Sequence, residues 1–175
     1  MLYFIASDIH GSAKWCRAML RAFEESGASR LVLLGDILYH GPRNDLPDEY
    51  APKTVIELLS PYKDRILAVR GNCEAEVDQM VLPFPVMADY AAVMQGDHLV
   101  YLTHGHKFSP DNPPPLSVGD VMLSGHTHVP MDEIRDGIRF VNPGSVSIPK
   151  GGSDHACLIM TDTDFIPVSL EEGGA

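Results

Sequence analysis

The sequence predicts an α/β fold in which two mixed β-sheets pack as a sandwich flanked by helices. In the first half of the 175-residue chain, short apolar runs alternate with stretches of helical periodicity, which is typical of parallel strands joined by crossover helices. In the second half, short apolar runs are separated by turn residues, which favours mixed or antiparallel sheet. Two sheets packed face to face, with helices outside, is the simplest architecture that accommodates both halves.

The first half contains three predicted strands and three predicted helical stretches. The clearest helix has Trp15, Met19 and Phe23 at helical spacing, and Gly27 follows as a helix stop. The loop after the second strand contains Gly41-Pro42 and Pro47, which mark turns. The predicted strands are residues 2–6, 31–34 and 66–69, and the predicted helices are residues 13–26, 52–60 and 74–80.

The second half consists of predicted strands separated by turns. Gln95-Gly96-Asp97 and Asp136-Gly137 are turn signals between apolar runs. We expect the last residues, 171–175, to be frayed. The predicted strands are residues 86–94, 98–103, 121–123, 134–141 with a turn inside it, 157–161 and 165–170.

Length and composition limit the class of protein. We expect residues 1–175 to form a single domain with one substantial core. No apolar run approaches the length needed to span a bilayer, and residues 2–6 lack the basic leader and cleavage site of a signal peptide. Cys16, Cys73 and Cys157 are widely separated, which favours reduced thiols over a disulfide framework. These features predict a cytoplasmic protein without a membrane partner.

Seven side chains of metal-binding type lie in five segments, each of which follows a predicted strand. Strand ends that lie side by side can converge on one site. Two neighbouring divalent cations need oxygen and imidazole ligands together with one bridging carboxylate, and this set supplies them. Each segment alone is weak evidence, because Asp, Asn and His are also common in turns and caps. Their ordered combination predicts a two-metal site formed by Asp8, His10, Asp36, Asn72, His104, His126 and His128.

The net charge restricts the substrate. A formal net charge of −11 argues against binding to long nucleic acids, because a surface that follows phosphates needs clustered Lys and Arg. A phosphate ligand is still compatible with this charge, since two divalent ions set against Asp8 and Asp36 would make the site locally positive. We therefore expect a small substrate.

The same five segments resemble the calcineurin-like metallophosphoesterases. The shared motifs are Asp-Ile-His at 8–10, Gly-Asp at 35–36, Gly-Asn at 71–72, Thr-His-Gly-His at 103–106 and Gly-His-Thr-His at 125–128. HGPRN at 40–44, RGNC at 70–73 and NPGSVSIPKGG at 142–152 resemble, more narrowly, the small bacterial phosphodiesterases of the YfcE type. This resemblance implies the metallophosphoesterase fold, a sandwich of two sheets flanked by helices, which agrees with the pattern of strands and helices.

The resemblance also implies a role for each ligand. Asp8, His10 and His128 would bind one metal ion, Asn72, His104 and His126 would bind the other, and Asp36 would bridge both. Because the ligands are four His, two Asp and one Asn, we expect Mn first, with Fe, Zn or Ni also accepted.

The expected activity is hydrolysis of small phosphodiesters. Metal coordination lowers the pKa of water by many units, so a hydroxide bridging the two ions would be the nucleophile. Similarity to the YfcE type favours diesters, and a phosphomonoesterase is an alternative. A second alternative is a non-catalytic metal-binding scaffold on the same fold. A single-metal, lactamase-type hydrolase is disfavoured, because the chain lacks an HxHxD segment.

One position departs from many members of the family. Where they have His after the metal-binding Asn, this chain has Cys73, and a neutral thiol with a pKa near 8.5 is a poor proton donor to a leaving group. Either His106 supplies the acid, or none is supplied and good leaving groups are favoured; alternatively, Cys73 only fills space.

The remaining predicted contacts lie outside the ligand set. His40, Arg43 and Asn44 follow Asp36 in the same loop and are candidates for substrate contact, or else form a solvated loop. The Asn142-Pro143-Gly144-Ser145 turn is placed near the metals by the resemblance. Residues 81–93 are a candidate surface for a homo-oligomer.

Overall fold

Ten strands in two five-stranded sheets form the framework of residues 1–171, the part of the chain that the computed structural model describes. In chain order the strands are β1 (Tyr3–Ala6), β2 (Arg30–Leu33), β3 (Ile66–Ala68), β4 (Tyr90–Gln95), β5 (His98–Thr103), β6 (Val121–Leu123), β7 (Met131–Arg135), β8 (Ile138–Asn142), β9 (Ala156–Met160) and β10 (Phe165–Ser169). The first sheet has the order β10-β9-β1-β2-β3 and the second has the order β4-β5-β6-β8-β7. Both sheets mix parallel and antiparallel pairs, so the predicted fold class is confirmed.

The helices pack on the outer face of the first sheet. Helix α1 (Ala13–Ser26) begins where Ser12 Oγ accepts a hydrogen bond from Trp15 N and ends at Gly27, whose φ of 66° suits a residue without Cβ. Phe23 on α1 lies against Phe4 of β1, with ring centroids 5.8 Å apart. Helix α2 (Pro52–Leu59) starts with proline and continues into a 3₁₀ turn, and α3 (Glu76–Val81) is short.

A second apolar core lies between the two sheets. In β2, Leu31 and Leu33 face the helices, whereas Val32 faces the second sheet, as the two-residue period of a strand requires. Leu102 and Leu123, which are fully buried, supply the second sheet's side of this core. Burial of each such side chain contributes roughly 1.5–3 kcal/mol to stability. The two cores hold the strand ends at one common edge.

Two predicted strands have different bounds in the structure. The run at residues 86–94 becomes a strand only at Tyr90, because Val86 N donates to the Gln79 side chain instead of to a neighbouring strand. Val86 is buried in the core beneath the helices. The apolar residues at the start of this run are therefore buried without being part of a sheet. Strand β7 begins earlier than predicted. The prediction missed its start because Asp132 and Glu133 are exposed on this edge strand, so the sequence there lacks the apolar alternation of a strand.

The cysteines and the termini add little to the framework. Cys16, Cys73 and Cys157 are all free, consistent with reduced thiols. The prediction of a frayed end at residues 171–175 concerns mainly residues 172–175, which lie outside the described residues. Of the helices in residues 1–171, none has the length and apolar character to span a membrane.

Candidate metal centre

All seven predicted ligands lie at the carboxyl ends of five strands that meet at one edge of the sandwich. Backbone hydrogen bonds continue the strand pairing into the loops and hold them together. Asp8 N donates to the Gly35 carbonyl at 3.2 Å, and His10 N donates to the Asp36 carbonyl at 2.9 Å. In the second sheet, Gly125 N donates to the carbonyl of His104 at 2.8 Å. The loops therefore present their side chains to a shared space.

Three of these residues, Asp8, His10 and His128, form a compact group that we call the first cluster. The two Nε2 atoms of His10 and His128 are 3.2 Å apart. Asp8 Oδ1 lies 3.5 Å from His10 Nε2 and 3.2 Å from His128 Nε2. All three side chains are buried. Three potential donor atoms thus converge on a volume that is shielded from solvent.

Asn72, His104 and His126 form the second cluster. Asn72 Oδ1 is 3.1 Å from His104 Nε2, and the ring centroids of His104 and His126 are 5.0 Å apart. His104 is buried, whereas His126 is half-buried and Asn72 is exposed. Asp36 lies between the clusters, because its Oδ2 is 3.8 Å from His10 Nε2 and 3.4 Å from His104 Nε2.

Three of the histidines are oriented by backbone carbonyls. The Nδ1 atoms of His10, His104 and His128 lie 2.8, 2.7 and 2.6 Å from the carbonyl oxygens of Tyr39, Leu34 and Ile148. A carbonyl oxygen only accepts, so Nδ1 carries a proton and donates it, and Nε2 is the ring nitrogen that faces the cluster. Each imidazole is therefore oriented so that Nε2 can bind a metal ion in place of a proton.

The Asp8 carboxylate fits a cation at one of its two oxygens. Its Oδ2 accepts hydrogen bonds from Ser7 Oγ at 2.6 Å and from His126 N at 3.0 Å. Its Oδ1 is buried and has no hydrogen-bond partner among residues 1–171. A buried carboxylate oxygen without a donor is costly. A cation next to Oδ1 would satisfy it, so the residues present fit a metal ion.

Several of the candidate ligands have a strained backbone conformation. Residues 1–171 contain seven non-glycine residues with positive φ, and five of them are predicted ligands. A left-handed conformation costs a non-glycine residue roughly 1–3 kcal/mol, and such residues persist where surrounding structure holds them. The sharp turns direct the side chains out of the strand ends into the shared space. The five candidate ligands with positive φ are Asp8, His10, Asp36, His126 and His128.

A buried glutamate that sequence reasoning assigned to a helix supports the central aspartate. The Glu74 carboxylate accepts hydrogen bonds from Asp36 N at 2.9 Å, Ile37 N at 2.7 Å and Gly71 N at 2.5 Å. It therefore ties the loop after β2 to the loop after β3. A Cβ on Gly71 would collide with Asp36 Oδ1, which explains the glycine before Asn72.

The loop after β8 supports the ligands from the other side. Asn142 Nδ2 donates to the Gly125 carbonyl at 2.8 Å and to Thr127 Oγ1 at 3.1 Å. Ser145 Oγ and Ser147 Oγ both donate to the carbonyl of Asp8, at 3.0 and 3.1 Å. The Asn142-Pro143-Gly144-Ser145 turn thus lies at the site, where its polar groups hold the ligand loops.

The two aspartates give the site a strong negative potential. Burial alone would raise the pKa of Asp8, but the neighbouring imidazoles of His10 and His128 hold it well below its usual range. Burial alone would lower the pKa of His104, but the carboxylates of Asp36 and Asp8 raise it to about 9. Groups that draw protons onto a buried imidazole also attract metal cations.

A cavity of about 340 Å³ opens above the clusters. Predicted substrate contacts Arg43 and Asn44 line it, and Cys73 does too. The His40 ring instead packs between Tyr39 and Tyr50, at centroid distances of 4.8 and 5.2 Å. Thr127 and Lys150, which were not predicted as site residues, also line the cavity. In the sequence, only their positions within the Gly-His-Thr-His and NPGSVSIPKGG motifs indicated a place near the site.

The two candidate proton donors have different surroundings. Burial and the neighbouring Asp36 carboxylate raise the pKa of the Cys73 thiol, so it stays neutral. His106 lies behind the second cluster, with its ring centroid 5.4 Å from that of His104 and 6.3 Å from that of His126. Burial and the two neighbouring histidines lower the pKa of His106. Its role as an acid stays a prediction.

Two mixed sheets with His, Asp and Asn side chains gathered at their strand ends form a candidate centre for divalent metal ions. Residues 1–164 match the model of the calcineurin-like phosphoesterase superfamily domain. The chain belongs to this superfamily and is a hydrolase that acts on phosphoric ester bonds. Membership implies divalent metal ions as cofactors and a small-molecule substrate, and the buried His and Asp groups supply candidate ligands.

Individual relatives agree with this family. The chain is 50% identical over 168 residues to phosphodiesterase YfcE of Escherichia coli strain K12, covering 96% of this chain and 91% of the relative. A solved structure of Yfce, described as a phosphoesterase from E. coli, superposes with a TM-score of 0.89 at 44% identity, covering 98% of this chain and 100% of the other. An archaeal phosphodiesterase at 20% identity, with a TM-score of 0.68 over 97% of this chain and all of the other, shares the fold.

Proposed function

We propose that this protein is a phosphodiesterase that uses two divalent cations to hydrolyse small phosphodiesters. The position of Asp36 carries the proposal. Its Oδ2 lies within reach of both clusters, 3.8 Å from His10 Nε2 and 3.4 Å from His104 Nε2. A single carboxylate oxygen between two groups of nitrogen and oxygen donors is the arrangement that a binuclear centre needs. The name of the relative that is 50% identical supports diesters over monoesters.

Each cation would have its own ligands. The first cluster would hold one ion and the second cluster the other, with Asp36 shared between them. The donors are imidazole nitrogens and carboxylate or amide oxygens, which suit Mn and also accept Fe, Zn or Ni. When bound, two such cations polarise the phosphoryl oxygens and activate water for attack on phosphorus.

The residues of this chain position the reaction. The carbonyls of Tyr39, Leu34 and Ile148 keep three imidazoles in a fixed orientation, so that little rearrangement accompanies binding. Arg43 and Asn44, on the turn after Asp36, line the wall above the clusters and would orient the ester. In-line attack requires this positioning, because the reacting groups must be held in near-attack geometry.

A metal titration with two matched substrates tests the proposal. The protein is stripped with a chelator, reloaded with Mn, Fe, Zn, Ni or Mg, and assayed with bis(p-nitrophenyl) phosphate and with p-nitrophenyl phosphate. We expect chelation to reduce turnover to background, Mn to restore it, and kcat/KM to be higher for the diester. Elemental analysis should give two metal ions per chain in the active form.

Each contrary result has its own meaning. Undiminished hydrolysis by metal-free protein would refute a metal-dependent mechanism. A higher kcat/KM for the monoester would make the protein a phosphomonoesterase. Full metal content without turnover on either ester would identify a metal-binding scaffold. His98→Ala is a matched control for ligand variants, because His98 is exposed at the opposite end of β5 from His104.

Location and assembly belong to the same proposal. We infer a cytoplasmic location, supported by the three free cysteines. Self-association through residues 81–93 is supported by the exposure of Val81 and Tyr90. Light scattering after size-exclusion chromatography measures the assembly state.

A further inference from the structure

Two cations on the wall of the cavity have no partner within the described chain. Six of the 13 lysines and arginines of this acidic protein bind an acidic side chain, as Arg65 binds Glu24 and Lys107 binds Asp89. Arg43 and Lys150, in contrast, form no ion pair and no side-chain hydrogen bond with any of residues 1–171. Both line the cavity above the clusters. Two unpaired positive charges facing one cavity would be satisfied by an anion.

Hydrogen bonds fix the backbone near Arg43 and Lys150, although the charged groups of the two side chains have no partner within residues 1–171. Lys150 N donates to the carbonyl of His128 at 3.0 Å, and the carbonyl of Lys150 accepts from Ser153 Oγ at 2.7 Å. Arg43 lies in a turn that is closed by Asn44, whose Nδ2 donates to the His40 carbonyl at 2.8 Å. Lys150 is therefore tied to a residue of the first cluster, and Arg43 to the loop that follows Asp36.

An ordinary diester does not need Arg43 and Lys150 to balance its charge; this step rests on the proposed function. Two divalent cations would outweigh the carboxylates of Asp8 and Asp36 and leave the centre positive. That positive charge suffices for the single negative charge of a phosphodiester. Arg43 and Lys150 therefore have charge available for a second anionic group on the substrate.

The remaining lining indicates a polar substituent. Apart from the candidate ligands, the described residues that line the cavity are Gly41, Pro42, Arg43, Asn44, Cys73, Thr127 and Lys150. None of these side chains is aromatic, so the wall offers no surface on which a nucleobase would stack. It offers instead a guanidinium, an ammonium, an amide and a hydroxyl, all of which can donate hydrogen bonds.

We propose that the cavity selects phosphodiesters that carry a second anionic group, and that Arg43 and Lys150 bind that group while the phosphodiester lies over the clusters. The guanidinium of Arg43 suits the paired oxygens of a carboxylate or phosphate, and Lys150 adds a mobile point charge. Carboxylate and phosphate share this chemistry, so the substrates below include both.

The test uses p-nitrophenyl diesters whose second ester group is ethyl, 2-carboxyethyl or 2-phosphonoethyl. The leaving group is the same in all three, so differences report binding of the substituent. We expect the wild-type protein to have a KM about tenfold lower for an anionic substrate than for the ethyl diester, the scale of one hydrogen bond to a charged group. The preference should weaken as salt is raised, because both cations are exposed.

The variants are Lys150→Ala, Arg43→Ala and their combination, with Lys53→Ala as the matched control. Lys53 is exposed on α2 and, like Lys150, forms no ion pair within residues 1–171. We expect the double variant to lose the anionic preference, measured as the ratio of KM for the ethyl diester to KM for each anionic diester. Lys150→Ala alone should weaken that preference while its kcat/KM on the ethyl diester stays within about threefold of wild type. The anionic diester whose KM rises more in the variants, the carboxylate or the phosphonate, identifies the class of anionic group that the two cations bind.

Equal KM values for the three diesters in the wild type, or a preference that survives in the double variant, would overturn the inference. Failure of the proposed function looks different, because the ethyl diester itself would then not be hydrolysed by metal-loaded protein. Calorimetric binding of the corresponding non-hydrolysable phosphonate esters to metal-loaded protein gives the same comparison without turnover.

Discussion

The first cluster is almost fully buried and reaches the cavity only through His128, whereas the second cluster opens onto it through Asn72 and His126. Asp8, His10 and His128 have relative exposures of 0%, 1% and 3%. In the second cluster only His104 is comparably buried, while His126 is half-buried and Asn72 is exposed. The difference separates two tasks. The first cluster is built to hold a cation rigidly, and the second leaves room for the ester that must reach the centre.

The two clusters also differ in how their exposed members are held, although His104, like His10 and His128, is anchored by a carbonyl. In the first cluster, both histidines are anchored by carbonyls, and Asp8 Oδ2 is held by Ser7 and by the backbone of His126. In the second cluster, Asn72 Nδ2 reaches only the weak acceptor Cys73 Sγ, at 3.3 Å. Asp36, supported from behind by Glu74, couples the two clusters.

Removal of the shared carboxylate should have the largest effect. Asp36→Ala takes a donor from both clusters, so we expect metal content to fall at both positions and turnover to fall on the order of 10³-fold or more, since even loss of an indirect support costs about 10–100-fold. His128→Ala should mainly empty the first cluster. Elemental analysis of both variants, with His98→Ala as the control, measures this. Two metal ions in Asp36→Ala, or equal losses in the two variants, would contradict the bridging role.

A change beside the open cluster should affect chemistry more than metal content. Cys73 follows Asn72 and lines the cavity, so Cys73→His places an imidazole beside the leaving group. General acid catalysis contributes about 10²–10⁴-fold, and we expect a gain toward the lower end on alkyl leaving groups, with little change on p-nitrophenyl esters. The plot of log rate against leaving-group pKa should become shallower. An unchanged slope in a folded variant with both metals would exclude Cys73 as the determinant, and His106→Ala is then the next variant to measure.

The smallest effect should come from removing a residue that supports the first cluster. Ser7→Ala removes the 2.6 Å hydrogen bond to Asp8 Oδ2 but leaves every candidate ligand in place. We expect metal affinity to fall about 10–100-fold, which is typical of the groups that orient a ligand. Competition with a fluorescent chelator measures the dissociation constants. Ser60→Ala is the control, because Ser60 Oγ bonds only a helix carbonyl. Equal affinities in both variants would mean that Ser7 does not orient Asp8.

Much of the fold followed from local pattern. Helix α1 has the predicted bounds, because helical spacing and Gly27 are local signals. Strand β5 is also as predicted, whereas the bounds at residues 86–94 and 134–141 were wrong or incomplete. A segment buried against helices can show the same apolar pattern as a strand. An exposed edge strand can lack the alternation of apolar and polar residues by which a strand is recognised. Local sequence does not distinguish these cases.

The sequence by itself determined which residue types stand after which strands, and this order was enough to nominate the seven candidate ligands and the family. Tertiary structure alone decided that the first cluster is more deeply buried than the second, and that Glu74, Ser7 and Asn142 hold the loops of the candidate ligands. It also decided that Arg43 and Lys150 face the same cavity. These relations join residues far apart in the chain, through hydrogen bonds and burial that arise only when both sheets have packed.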